Sequence, residues 1–238
     1  FVPAEDDAFN AMVAAFKTAT GTEMNVFSES FEDVQPKASV AANTGSGLDL
    51  AWGLHTLPQL FPTKVLKMND VADYLGKKYG GWTEAAQKTC MLGNDWLGIP
   101  VATIGGYLTY RKSAVDKAGF KEVPKDFPGF LELCKKLKAN NTPAGFALGH
   151  ATGDANAWLH WILWGHNAYT VDKDDKVIIN SSETAKALDY CKQLSDTFIP
   201  GTASWNDGSN NKAFLAGELY CTANGISIYV AAKDDPTK

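Results

Sequence analysis

Three short segments set aromatic rings beside small polar side chains. They are Trp52-Gly53-Leu54-His55, the run from His150 through Gly153, Asp154 and Asn156 to Trp158, and Trp205-Asn206-Asp207. Each falls in a predicted loop after a strand. A sugar ring has apolar C–H faces and a rim of hydroxyls, so a site for it combines flat aromatic platforms with planar amides and carboxylates. These segments carry that combination. The same tryptophans also suit a hydrophobic core, and both roles are open on the sequence alone.

Other chemistries find fewer footholds. The four histidines, His55, His150, His160 and His166, include no i, i+4 pair and no HExxH, so no metal site is expected. Asp172 and Asp174, with Glu183 at position twelve, imitate a calcium loop, but Lys176 replaces a ligand and Val177 takes the place of the turn glycine. A solvated hairpin tip fits better. Neither GxxxxGK[ST] nor GxGxxG occurs, Gly45-Ser46-Gly47 precedes a strand rather than a helix, and GxSxG is absent. The carboxylates are scattered over turns and helix ends, so no acid/base dyad is supported. No cofactor is called for.

Composition narrows the partners. The chain has 238 residues, 45% of them hydrophobic, and a formal net charge of -5. Arg111 is its one arginine and the lysines form no stripe, which argues against nucleic acid, whose binders cluster cations to displace counterions. No run of 18 apolar residues exists to span a bilayer. Cys90, Cys134, Cys191 and Cys221 are spaced too widely for a zinc or CxxC motif.

The elements that must hold these residues alternate between helix and strand, which points to α/β layers with a crossover-connected parallel sheet. Phe9, Met12, Val13 and Phe16 make one helical stripe after Glu5-Asp6-Asp7, and Gly21 ends it. Met24 to Phe27 reads as a strand, Gln35 to Ala42 as a helix, and Leu48 to Trp52 as a buried strand. A loop-and-short-helix region with Pro58 and Pro62 leads to an amphipathic stretch at Trp82 to Cys90, then to strands at Trp96 to Val101 and Tyr107 to Tyr110. Gly105-Gly106 between them is a place to bend between domains.

Beyond it, Lys112 to Ala118 is helical. Asp126 caps a helix carrying Phe130, Leu133, Cys134 and Leu137 on one face. Phe146 to Leu148 is a short strand. Ala155 to Trp164 is apolar nearly all round, so it is buried or lines a pocket. A hairpin at residues 169–179 precedes a helix with a capping box at Asn180 and Glu183. Lys212 to Ala216 and the strand-like Leu219 to Ala223 follow.

Several fragments, in order, match a known pattern. Leu48-Asp49-Leu50-Ala51-Trp52-Gly53 looks like an Asp-apolar-apolar-aromatic strand end. Trp96-Leu97-Gly98-Ile99-Pro100-Val101 looks like a Gly-Ile-Pro-Tyr segment, and Gly106-Tyr107-Leu108-Thr109-Tyr110-Arg111-Lys112 like a crossover strand. Val123 to Phe130, Ile178 to Glu183, Ala213 to Glu218 and Thr222 to Gly225 complete the series. The sequence resembles the extracellular solute-binding proteins of bacterial ABC importers, of the maltose- and multiple-sugar-binding type.

The resemblance implies an α/β, two-lobed periplasmic-binding-protein fold of type 2, with a first lobe over residues 1–106, a crossover hinge at 107–112 and a second lobe over 113–238. It implies a non-enzymatic receptor in the periplasm, or lipid-anchored on an extracellular face. That receptor is a monomer that binds a sugar or polyol in the cleft, closes on it and delivers it to the membrane permease subunits. It also implies an incomplete chain, with parts of both lobes missing. Carried over by position, the first-lobe site includes Trp52, Gly53 and His55. Glu5 and Asp6 either face the cleft or only favour their helix N-terminus. The second lobe contributes Asn156, Trp158, Trp205 and Asp207, with Ser227 where maltose-type members place a stacking Trp, and Tyr229 nearby. Arg111 is open to a local role or to an anionic ligand. In an oxidising periplasm Cys134 and Cys191 either bridge or stay buried thiols. The rival readings are a phosphorylated polyol or organic anion on the same scaffold, and an extracytoplasmic carbohydrate-active enzyme.

Overall fold

The computed structural model describes residues 3–149 and 151–233, with the side chains of residues 3–6 and 31 outside the description. The chain divides into two compact units, one of Ser28–Ile104 and one of Phe1–Phe27 with Gly105–Lys238. Helix α1 (Pro3–Thr20) opens the chain, and Gly21 closes it with φ 72° and its N–H on the Lys17 carbonyl. Its predicted stripe is helical, yet Met12 and Phe16 on it are exposed.

The smaller unit holds α2 (Phe31–Thr44), α3 (Leu57–Leu60), α4 (Asn69–Tyr79) and α5 (Glu84–Cys90). The Thr83 hydroxyl caps α5 by accepting from the Ala86 N–H at 3.2 Å. Strands β1 (Met91–Leu92) and β2 (Asp95–Trp96) form an antiparallel hairpin pairing Met91 with Trp96 around Gly93-Asn94. Gly93 has φ 60°, a conformation glycine adopts without the clash a Cβ brings. A small core of Ala72, Cys90 and Trp96 packs with Trp82, whose ring lies 5.2 Å from that of Trp96 and whose indole donates to the Ala72 carbonyl at 3.0 Å.

Three strand expectations differ from the structure. Met24 to Phe27 and Leu48 to Trp52 carry a strand pattern but are irregular, with Phe27 76% and Leu50 74% exposed. A strand exists only through its ladder, and among the described residues neither segment has a neighbour to complete one. The strand expected from Trp96 to Val101 shrinks to its first residue in β2 for the same reason.

The larger unit is built around β3 (Tyr107–Tyr110), followed by α6 (Lys112–Lys117), α7 (Phe127–Ala139), α8 (Asp154–Gly165), α9 (Ser182–Ser195), a 3-10 turn at Thr202–Ser204, α10 (Ser209–Leu215), β4 (Cys221–Asn224) and α11 (Ser227–Ala232). β3 and β4 run antiparallel from Tyr107 opposite Asn224 to Tyr110 opposite Cys221. The expected parallel sheet is reduced to bridges: Ala144 pairs in parallel with both Phe198 and Cys221, and Phe146 to Leu148 continue without a ladder.

The core forms where the helices meet. Phe130, Leu133, Cys134 and Leu137 of α7, Trp158 and Ile162 of α8, and Ala187 and Leu194 of α9 enclose Phe146 and Phe198. Asp126 caps α7 as expected, accepting from the Gly129 N–H at 2.8 Å. The cap of α9 is Ser181, one residue past the predicted Asn180, and its hydroxyl accepts from the Thr184 N–H. Cys134 and Cys191 are free thiols, so the bridge left open between them is not formed. Burial raises the Cys134 thiol well above its ordinary value and Cys191 to about 11.

Candidate functional site

The N-terminus of α8 leaves backbone N–H groups without partners inside the helix, and no neighbouring side chain caps it. Asp207, from the loop ahead of α10, supplies the acceptors. Its Oδ1 takes the Asp154 N–H at 2.7 Å and the Gly153 N–H at 3.1 Å, and its Oδ2 takes the Gly153 N–H at 3.0 Å. A carboxylate on a helix N-terminus also meets the positive end of the dipole.

Asp154 begins the helix and turns its carboxylate into a set of amides. Oδ2 accepts from Asn210 Nδ2 at 2.6 Å and from Asn224 Nδ2 at 3.4 Å. Asn210 also donates to the Ala223 carbonyl at 3.1 Å. Asn224 Nδ2 donates to Asn211 Oδ1 at 2.6 Å, and Ser227 Oγ donates to Asn224 Oδ1 at 2.9 Å. Asn210, Asn211 and Asn224 are all buried, which costs little only because each is hydrogen-bonded. Burial pushes the Asp154 carboxyl up to about 6; the Asn210 amide opposes the shift and the Asp207 charge adds to it.

Trp205 and Asp207 thus lie on one loop, with Trp205 half-buried against a small core of Ala213, Phe214, Leu219 and Ile228. Glycines admit that loop. A Cβ on Gly149 would sit 2.4 Å from the Ala203 carbonyl oxygen and 3.0 Å from that of Trp205, both backbone atoms with no rotamer to escape into. Gly149→Ala is therefore expected to destabilise the protein by about 2–3 kcal/mol, as overpacking does, measured by urea unfolding. An unchanged midpoint would show that the loop yields freely.

The predicted residues separate. Asp207 and Ser227 enter the polar cluster, and Tyr229 is exposed on α11 two residues beyond Ser227. Asn156 is exposed on the first turn of α8 and donates to the Thr152 carbonyl at 2.7 Å. Trp158 instead belongs to the core: it is 4% exposed and its indole donates to the Ala147 carbonyl at 2.8 Å. In the smaller unit, Trp52, 53% exposed, and His55 flank Gly53 just ahead of α3. Gly53 packs where a Cβ would meet the Leu57 side chain at 2.5 Å. Glu5 and Asp6 fall on α1, their side chains outside the described residues.

Sequence reasoning passed over Asp154, Asn210 and Asn211 as site residues. The signal was the Asn-Asn pair opening α10. Asparagine is a poor helix former, and two in succession in a helix need another reason to be there.

Arg111, the one arginine, has a local role. Its Nη2 donates to the Phe214 carbonyl at 2.7 Å, and its guanidinium lies 4.8 Å from the Phe214 ring centre and 5.8 Å from that of Tyr220.

Known proteins share this architecture. A sugar transporter protein from Arthrobacter chlorophenolicus A6, solved with bound laminaribiose, superposes with a TM-score of 0.83 at 18% identity over 99% of this chain and 61% of its own. An ABC transporter solute binding protein from Thermotoga lettingae TMO, solved with α-D-tagatose, gives 0.83 at 20% identity over 99% of this chain and 63% of its own. YcjN of Escherichia coli (strain K12), whose name assigns it provisionally as an ABC transporter periplasmic-binding protein, is 30% identical over 115 residues, 46% of this chain and 26% of that protein. The chain therefore spans about three fifths of the solved structures and a quarter of that relative. The fold is the α/β, two-lobed fold of periplasmic binding proteins. The model of one family matches residues 11–238, and by that match the chain belongs to the bacterial extracellular solute-binding proteins.

Proposed function

We propose that the chain serves as the substrate-binding component of a bacterial ABC importer and holds a neutral sugar or polyol, in the manner of the maltose- and multiple-sugar-binding type. The observation that carries this is the cluster of Asp154, Asp207, Asn210, Asn224 and Ser227 beside Trp205. It sets a half-buried ring on a loop that buried amides, a hydroxyl and carboxylates anchor, an aromatic-and-polar frame that suits a polyhydroxy ligand. The laminaribiose and tagatose bound to the two structural relatives support the same ligand class.

Recognition is assigned to Trp205, Asp207, Asn156, Ser227 and Tyr229 in the second lobe and to Trp52, Gly53 and His55 in the first. Binding between the lobes favours a closed state by hinge motion at residues 107–112, because the ligand touches both lobes only when they are closed. Permease subunits then receive the ligand on the periplasmic side of the membrane. A phosphorylated ligand calls for cationic donors, and Arg111 is committed to Phe214 and Tyr220. Enzymatic turnover calls for two free carboxyls, whereas Asp207 has both oxygens on backbone N–H groups.

A panel of neutral saccharides, polyols, sugar phosphates and organic anions, followed by thermal shift, tests this. A ligand present at about 100 times its Kd adds roughly 2.7 kcal/mol of stability. The expected result is a rise in Tm with one or more neutral members and none with the anions. The reverse pattern overturns the proposal.

A further inference from the structure

Residues 155–171 contain no Asp, Glu, Lys or Arg, yet α8, which fills most of that run, turns one face to the solvent. Its other side buries Trp158, Ile162 and Leu163 in the core. A helix half in water ordinarily carries charged side chains outward. Here the outer face reads Asn156, His160, Trp164 and, in the turn that ends the helix, Asn167, a spacing of i, i+4, i+8 and i+11 that keeps them in one row. Trp164 is 56% exposed, and Asn156 and Asn167 are exposed with it. A single exposed ring needs no explanation, but a row of planar polar and aromatic groups with neither a charge nor an aliphatic chain does.

Hydrogen bonding fixes what the row offers. His160 Nδ1 lies 2.8 Å from the Asn156 carbonyl, which only accepts, so Nδ1 carries the hydrogen and Nε2 of the neutral ring is left as an acceptor. The imidazole and the Trp164 indole sit 5.3 Å apart with their planes tilted by 37°. Neither the Trp164 indole N–H nor the Asn167 side-chain amide makes a hydrogen bond among the described residues. Asn167 takes the left-handed conformation, φ 58°, where its N–H and that of Ala168 return to the Trp164 and Leu163 carbonyls. Glycine is the usual residue at that position, so closing the helix does not require the amide.

We propose that His160, Trp164 and Asn167 form a second, shallow saccharide site on the outer face of α8, with a pyranose ring laid on the indole and its hydroxyls bonded to His160 Nε2 and the Asn167 amide. A sugar ring supplies both an apolar C–H face and groups that donate and accept, and a row without charge suits a neutral ligand. The row begins at Asn156, which belongs to the recognition residues above, but this site uses only the groups beyond it and does not depend on that reading.

NMR of the whole chain tests this by following the Trp164 indole N–H, identified by its loss in Trp164→Phe, and the backbone amides of residues 160–168 during titration with cellohexaose and with maltohexaose. One exposed platform binds weakly, with a Kd of the order of 1 mM. The expected result is a saturable shift of these signals with at least one hexasaccharide. Binding is expected to weaken about tenfold or more in Trp164→Ala. It is expected to weaken about fivefold in Asn167→Gly, which loses one neutral hydrogen bond at a position glycine favours. Unchanged urea unfolding midpoints show that both variants keep the fold. Signals that ignore both hexasaccharides, an equal affinity in Trp164→Ala, or a Trp164 ring shielded from acrylamide because another protein surface covers it, overturn the inference. Shifts at Trp205 without shifts at Trp164 assign the saccharide to the other site alone and overturn it as well.

Discussion

Replacing Trp158 by alanine is expected to lower the unfolding free energy by about 3–5 kcal/mol, the range for emptying a large aromatic site in a packed interior. Trp158 is buried between Phe146 and Phe198, edge-on to both, with ring centres 5.5 and 6.2 Å away. Its indole N–H serves the Ala147 carbonyl, so the alanine variant loses the packing, the aromatic edge contacts and a buried hydrogen bond together. Trp158→Phe keeps most of the volume and isolates the hydrogen bond, at an expected cost of about 1–2 kcal/mol. Urea unfolding of both variants gives the ranking. If Trp158 were instead a platform for a sugar, the alanine variant would keep its unfolding midpoint and lose only the ligand response.

Asp154→Asn carries the opposite sign. The Asp154 carboxyl rises from 3.8 to about 6 on folding, chiefly because burial penalises its charge. The folded protein therefore binds this proton more tightly than the unfolded chain does. The resulting destabilisation is absent below about pH 4, grows as pH rises between the two values, and is complete above about pH 6. A shift of this size corresponds to up to about 3 kcal/mol. The variant is expected to be more stable than the natural protein by up to that amount at pH 8 and equal to it near pH 3.5. Unfolding at the two pH values checks this, and a pH-independent difference would remove titration as its cause. A residue kept at a cost to stability fits a role in binding rather than in folding.

The sequence was legible where local rules decide the outcome. Phe130, Leu133, Cys134 and Leu137 recur at helical spacing behind an aspartate cap, and α7 has that face buried and that cap filled. It was less legible where a distant partner decides. Leu48 to Trp52 has the composition of a buried strand, but strand formation depends on a neighbour that no window of sequence reveals. Trp158 and Trp205 looked alike as candidates. The difference lies in what folds over them: Phe146 and Phe198 enclose the first, while the second sits on a loop. Asp154 stood in a named segment but not among the site residues, because its partners, Asn210 and Asn224, come from α10 and β4, far along the chain. The Asn180 cap missed by one residue because Ser181 has an equally suitable oxygen beside it.

The register of β3 against β4 sets Tyr107 beside Asn224, and the Arg111 N–H extends the pairing to the Tyr220 carbonyl. The stretch between those positions is thus a closed excursion whose two ends meet. A body with adjoining ends can be spliced into a host chain without stretching it, and new termini can be opened elsewhere on its surface. By its topology, the portion from β3 to β4 is a cassette: an engineer could lift it out, permute it or graft it as one piece, with the β3–β4 pair as its clasp.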